Sequence, residues 1–406
     1  MAPRNASSAH PATSFTPLAR VLVATFFGSV SGGAFWSAMF FVSARVHHFS
    51  PLRNLVLACV LGAAYTVWAW SAGWLTRGPL GRLAPRTSLL LVLATWAAAA
   101  VLPACAPTSE LLFWLATLVG TSASAVVWPL VESFMSAGRH GPELRKTIGW
   151  FNVTWTPAVA VPLLLMPWVT RLGPLASIWT SALCNGVAMV AVAGFPARPA
   201  HHDPERSRQS VGADYRFLRD ATRWLLPLAY LMAAVLSPVL PARLLALGVQ
   251  PDVAPVLAST WMVSRFATLA LLAATSFWHG RWSTLLGGGV ALGTGMACAL
   301  LAPTAWLFTL ALTLFGAGMA VLYYASLYYG LAVGHAQVDA GGTFEGLVGL
   351  GYFLGPALGI AGYQLAGAAR GEVATVALAW LFALASLAGP LRAWRRSVAA
   401  ARARGE

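Results

Sequence analysis

The chain has 406 residues, 58% of them apolar and 9% charged, with a mean hydropathy of +0.70. Soluble domains run near 45–50% apolar and about 25% charged, so a water-soluble globule is excluded. The net charge is +14 and Lys146 is the single lysine; Arg-rich loops held on one side of a membrane account for the excess, and no nucleic-acid partner is expected.

A crossing helix needs about 20 mostly apolar residues to span about 30 Å of hydrocarbon. The polar tail, 1–17, lacks a short apolar run with a cleavage site and reads as uncleaved. Six apolar runs follow: Leu18–Val46, Asn54–Leu75, Ser88–Cys105, Leu111–Met135, Ile148–Val169 and Pro174–Phe195. A polar, basic linker occupies 196–222. Six more runs follow: Trp224–Leu247, Val253–Phe277, Ser283–Leu301, Ala305–Leu331, Phe344–Ala366 and Glu372–Leu391, then a basic tail, 392–406. The expected fold is an all-α integral membrane protein with twelve transmembrane helices, in pseudo-symmetric six-helix bundles at 18–195 and 223–391.

With the N-terminus inside, the cytoplasmic loops take Arg4, Arg20, Arg77, Arg82, Arg86, Arg139, Arg145, Lys146, the linker arginines with Arg223, Arg281 and the tail. The outer loops receive only Arg45, Arg53, Arg171, Arg243 and Arg370. This asymmetry predicts an inner-membrane protein with both termini cytoplasmic. The halves also echo one another. VVWPLVESF (126–134) matches VLYYASLYY (321–329) in place, and GWFNVTWTPAVAVP (149–162) matches TFEGLVGLGYFLGP (343–356), at offsets of 195 and 194. Parallel six-helix repeats place a solute site at mid-membrane between them.

Few side chains within the runs carry chemistry. Arg265 is the one charge in Val253–Phe277, 13 residues beyond Asp252, or about 20 Å along a helix. A central Arg costs about 2.5–3.5 kcal/mol on insertion scales, which points to a polar interior. It reads as an anchor for an anionic or amphipathic solute, an ion-pair partner, or an Arg bonded to the carbonyls of a broken helix. Glu132 and Glu345 are the two carboxylates inside the runs. Either is placed to take a coupling proton, because desolvation favours the neutral form of a carboxyl. Either also suits an inner gate closed by an Arg. The plainer readings are pairing with Arg145 or Lys146 for Glu132 and helix-dipole compensation for Glu345. Asn152 suits a solute ligand or an interhelical hydrogen bond. Trp128, Trp155, Tyr323 and Tyr324 suit stacking on an organic solute or anchoring at the membrane boundary, with Tyr328 and Tyr329 fitting the latter best.

His47, His48, His201, His202, His279 and His335 fall in loops, and Cys59, Cys105, Cys184 and Cys298 form no CxxC pair. No metal site or cofactor is expected. No GxxxxGK[ST], GxSxG or HExxH pattern is present, which speaks against an ATP-driven pump and against an enzyme.

Over its whole length the chain resembles the major facilitator superfamily (MFS): six plus six helices, a basic linker and matching halves. The loop GWLTRGPLGRLAPR (73–86) is similar to that family's Gly- and Arg-bearing loop at Gly73, Gly81, Arg82 and Arg86. Its acidic position is lost, with Arg77 nearby. GLVGLGYFLGPALG (346–359) resembles the family's Gly/Pro-rich segment, and assigns Gly349, Gly351, Gly355 and Pro356 to close helix packing. The resemblance implies that the runs bearing Trp128, Trp155 and Tyr323 face a cavity. It implies a monomeric secondary transporter that moves a small organic solute by alternating access, with protons as a candidate coupling ion. Gly73, Arg77, Gly81, Arg82 and Arg86 would form its cytoplasmic gating loop. Two rivals stand beside that reading: an accessory or sensor protein that no longer moves solute, and a membrane-embedded enzyme acting on lipid or glycan.

Overall fold

A computed structural model describes residues 15–169, 172–173, 175–200, 212–250, 253–333 and 338–404. The first fourteen residues, Arg171, linker residues 201–211, Asp252, His335 and the last two residues lie outside the described residues. The described chain is helical. The first half contains α1 (Leu18–Arg45), α2 (Pro51–Arg77), α3 (Pro85–Val101), α4 (Glu110–Ser136), α5 (Gly141–Val169) and α6 (Ala176–Ala193). The second contains α7 (Tyr215–Ala246), a short α8 (Ala254–Ala258), α9 (Thr260–Ala274), α10 (Trp282–Leu301), α11 (Ala305–Val333), α12 (Val338–Ser386) and α13 (Ala388–Ala403).

Helices are what this composition allows, because hydrocarbon leaves no partner for an unpaired backbone group. The helix starts are built from side chains that satisfy free N–H groups. Ser50 accepts from the Arg53 amide at 3.2 Å before Pro51, and Ser109 accepts from the Leu112 amide at 3.4 Å. Among the described residues, eight helical stretches are long and apolar enough to cross a membrane. Of the other runs, α3 and α6 are shorter apolar helices, while α5 and α7 carry charges in their first turns.

Three boundaries differ from the sequence reading. Runs eleven and twelve are two helices within α12, joined with little intervening loop at a kink at Gly367, whose φ of 69° and ψ of 178° suit a residue without a Cβ. The run around Arg265 is interrupted at Ser259, between α8 and α9. The basic tail is mostly helical, as α13.

The core is apolar, and so is much of the outer surface. Leu183, Val190, Leu301 and Leu365 are exposed on the outside, as lipid-facing residues must be. Small residues let helix backbones meet inside. Two of the seams between the halves are close backbone approaches. In the first, α2 runs antiparallel to α12: a Cβ on Gly349 would lie 2.8 Å from the Thr66 nitrogen, and one on Gly62 would lie 2.6 Å from the Phe353 nitrogen. In the second, α5 meets α9, where a Cβ on Gly149 would lie 3.0 Å from Ala273.

Candidate functional site

Arg265 projects from α9 into the seam with α5 and is 6% exposed. Its guanidinium carbon lies 4.6 Å from the Trp155 ring centre, 4.9 Å from that of Tyr323 and 5.6 Å from that of Tyr230. One ring comes from the first half and two from the second. Nη2 donates to the Tyr230 hydroxyl at 2.8 Å, and Nε has no partner among the described residues. A desolvated cation–π contact is worth about 2 kcal/mol, so three rings offset much of the insertion cost. The bond goes to a side chain, not to carbonyls freed where the helix is interrupted.

Asn152 lies one turn before Trp155 on α5. Its Oδ1 accepts from Trp155 Nε1 at 2.9 Å, while its Nδ2 is buried without a partner among the described residues. Asn152 therefore orients the ring that covers Arg265 and keeps a spare donor. The aromatic surface continues past the cage. Tyr230 meets Tyr352 at 5.1 Å, and Tyr352 stacks on Trp36 of α1 at 5.6 Å.

A second layer lies toward the N-terminus of α12. Glu345 is 7% exposed and accepts a hydrogen bond from the Tyr65 hydroxyl of α2. Glu132 of α4 is 1% exposed, and neither of its oxygens has a partner among the described residues. It faces the same helix one turn earlier, where a Cβ on Gly341 would lie 2.5 Å from Glu132 Oε2. The two buried carboxyls come from different halves, Glu132 from α4 and Glu345 from α12. The pairing of Glu132 with Arg145 or Lys146 is absent among the described residues.

A third layer closes the end of the bundle. Arg77, last in α2, pairs with Asp339 in the first turn of α12 at 2.6 Å, beside Gly73. Arg86 donates to the Phe195 carbonyl at 3.1 Å and ties the loop to its own half. Arg82 and Gly81 are exposed. Along α12, Glu345 is six residues and Tyr352 thirteen residues beyond Asp339, or about 9 and 20 Å at 1.5 Å per residue. A cavity of about 210 Å³ opens beside this layer, lined by Arg219, Thr222, Arg223, Ser326, Asp339 and Phe344. Phe344 stands between it and the cage, edge-on to Tyr323 at 5.2 Å.

The structure thus gathers Arg265, Asn152, Trp155 and Tyr323 in one cluster and Glu132 and Glu345 in another. Trp128 packs with the Tyr65 group instead. Tyr324 lies 5.0 Å from Trp278, in a knot with Tyr328 and Tyr329. Those last two are buried rather than placed at a lipid boundary, and the Tyr329 hydroxyl accepts from the Gly280 amide at 2.9 Å. Gly349 faces α2, while Gly351 and Gly355 face α7; Pro356 sits inside α12. Sequence reasoning missed Tyr65, Tyr230, Tyr352 and Asp339. No local signal marks Asp339, which lies 262 residues from Arg77 in the chain.

No family model and no curated protein matches the chain. Solved structures do. The MFS proton:xylose symporter XylE, bound to 6-bromo-6-deoxy-D-glucose, is similar at TM-score 0.68 and 12% identity, over 93% of this chain and 95% of that one. The human organic anion transporter MFSD10 (TETRAN) is similar at 0.62 and 15%, over 91% and 99%. A variant of the E. coli fucose:proton symporter FucP is similar at 0.61 and 13%, over 91% and 98%. The chain therefore has the MFS transporter fold and is a multi-pass membrane protein.

Proposed function

We propose that this chain, which has the MFS transporter fold, is a secondary transporter for a small organic anion. The single observation that carries the reading is the caging of Arg265 by rings from both halves. A cation there holds the negative group of a solute while the rings contact its apolar body. Because both halves contribute, rocking of the bundles at 18–195 and 223–391 about the centre opens the cage to one side or the other. Glu132 and Glu345, two buried carboxyls contributed by different halves, serve as the site for a coupling proton, since burial without a cationic partner favours the neutral form of a carboxyl. Arg77 and Asp339 form the gate at the basic end, which the positive-inside rule assigns to the cytoplasm together with both termini. The solved relatives support the class, since two are proton-coupled symporters and one is an organic anion transporter. The rival reading, a protein that no longer moves solute, rested on the eroded loop; the Arg77–Asp339 pair supplies a contact between halves there.

The test is reconstitution into liposomes, with solutes chosen by thermal-shift screening of purified protein against small carboxylates and phosphate esters. A bound ligand raises the unfolding midpoint by mass action. Arg265→Gln is expected to abolish both the shift and the transport while membrane insertion stays normal. Undiminished transport by that variant overturns the reading.

A further inference from the structure

The last helix is built unlike the others. α13, AGPLRAWRRSVAAARA, contains four arginines and no acid. At 100° per residue its side chains separate into three faces. Gly389, Ala393 and Ser397 are buried against the protein. Gly389 sits on Trp224, and Ser397 accepts from Trp282 Nε1 at 3.2 Å and donates to Asp214 at 3.2 Å. A second face carries Leu387 from the preceding turn, Leu391 and Trp394, all exposed. The third carries Arg392, Arg395, Arg396 and Arg402, exposed and without an acidic partner among the described residues.

Position along the chain fixes the depth. The final apolar span begins at Val373, and the helical stretch continues to Ala403. Arg392 lies nineteen residues beyond Val373, or about 28 Å of rise, close to the thickness of the hydrocarbon core. Leu391 and Trp394 therefore reach the edge of the acyl chains, with the arginines beside them at headgroup level. Tryptophan prefers that depth, and guanidinium forks match phosphate oxygens in pairs.

We propose that α13 is a binding surface for anionic phospholipid headgroups, which seat the C-terminal half at the basic face of the membrane. The occupant is a lipid rather than a soluble polyanion because an apolar stripe runs alongside the basic one. The proposal does not depend on which solute is carried.

The test uses the full chain in nanodiscs of phosphatidylcholine with increasing phosphatidylglycerol, read by thermal unfolding and by hydrogen exchange over 388–403. Phosphatidylglycerol is expected to raise the midpoint and slow exchange in α13, and 1 M salt to reverse both. In Arg392→Gln/Arg395→Gln/Arg396→Gln, apparent affinity for phosphatidylglycerol falls on the order of 100-fold, with an unchanged midpoint in pure phosphatidylcholine. An equal response of wild type to both lipids overturns the proposal. So does an undiminished response in the variant, or the same protection from soluble glycerol phosphate. If the variant does not fold, exchange in wild type decides: no slowing in α13 with phosphatidylglycerol refutes the surface.

Discussion

The Arg265 side chain is held by one hydrogen bond and three rings, so its geometry depends on few groups. Removing the Tyr230 hydroxyl leaves a buried charged donor unpaired. A bond to a charged group is worth about 1.5–3 kcal/mol, so Tyr230→Phe is expected to lose about that much stability to denaturant in micelles. No loss means that another group satisfies the guanidinium. Outside the spans, His279 stacks on Trp278 at 3.9 Å and donates through Nδ1 to the Ser276 carbonyl at 3.1 Å, while Nε2 is buried without a partner among the described residues. Burial holds its pKa below the usual 6.5, the Ser276 carbonyl opposes this, and Arg145 adds to the lowering. A lowered folded pKa gives stability that is full above the unfolded value near 6.5 and is lost as pH falls through the folded one. Unfolding midpoints measured from pH 8 to 5 are therefore expected to drop below about pH 6.5, and to drop less in His279→Gln.

At the scale of elements, the seam between α2 and α12 depends on missing side chains. A Cβ at Gly62 would meet the backbone of Tyr352 and Phe353, which cannot rotate away. Gly62→Val is expected to destabilise by about 1–3 kcal/mol. Gly186, inside α6, has open space around its missing Cβ, so Gly186→Ala is expected to stabilise by about 0.5–1 kcal/mol. Parallel denaturation of the two variants checks the sign. Equal effects would show that glycine acts here through helix propensity and not through close approach.

Across the whole molecule, three layers join residues of the two halves: an ion pair, two buried carboxyls and a cationic cage. The outermost is exposed, with side-chain accessibilities of 66% for Arg77 and 48% for Asp339. Its expected effect is therefore on the balance between conformations and not on folding. Arg77→Asp or Asp339→Arg alone places like charges at the gate and is expected to shift access toward the basic side, read as faster cysteine labelling of Ser326→Cys in the adjoining cavity. The double swap is expected to return labelling toward the wild-type rate. If it does not, the two side chains do not act as a pair.

The fold was legible in the sequence because a bilayer imposes strict lengths: runs of about 20 apolar residues and the placement of arginines sufficed to set the helix count and an expected topology. Arg265, Glu132 and Glu345 stood out for the same reason, as charges where charge is costly. What surrounds them was not legible. Tyr65, Tyr230 and Tyr352 look like any other aromatic in an apolar run, and the periodicity of a helix gives no hint of which of its neighbours lies across a seam. Only the tertiary structure decided that Asp339 meets Arg77, that Asn152 turns Trp155 onto Arg265, and that Tyr324 lies outside the cage. Apart from the Asn152–Trp155 bond within one turn of α5, those contacts join residues from distant parts of the chain, through the mutual packing of helices rather than through local preference.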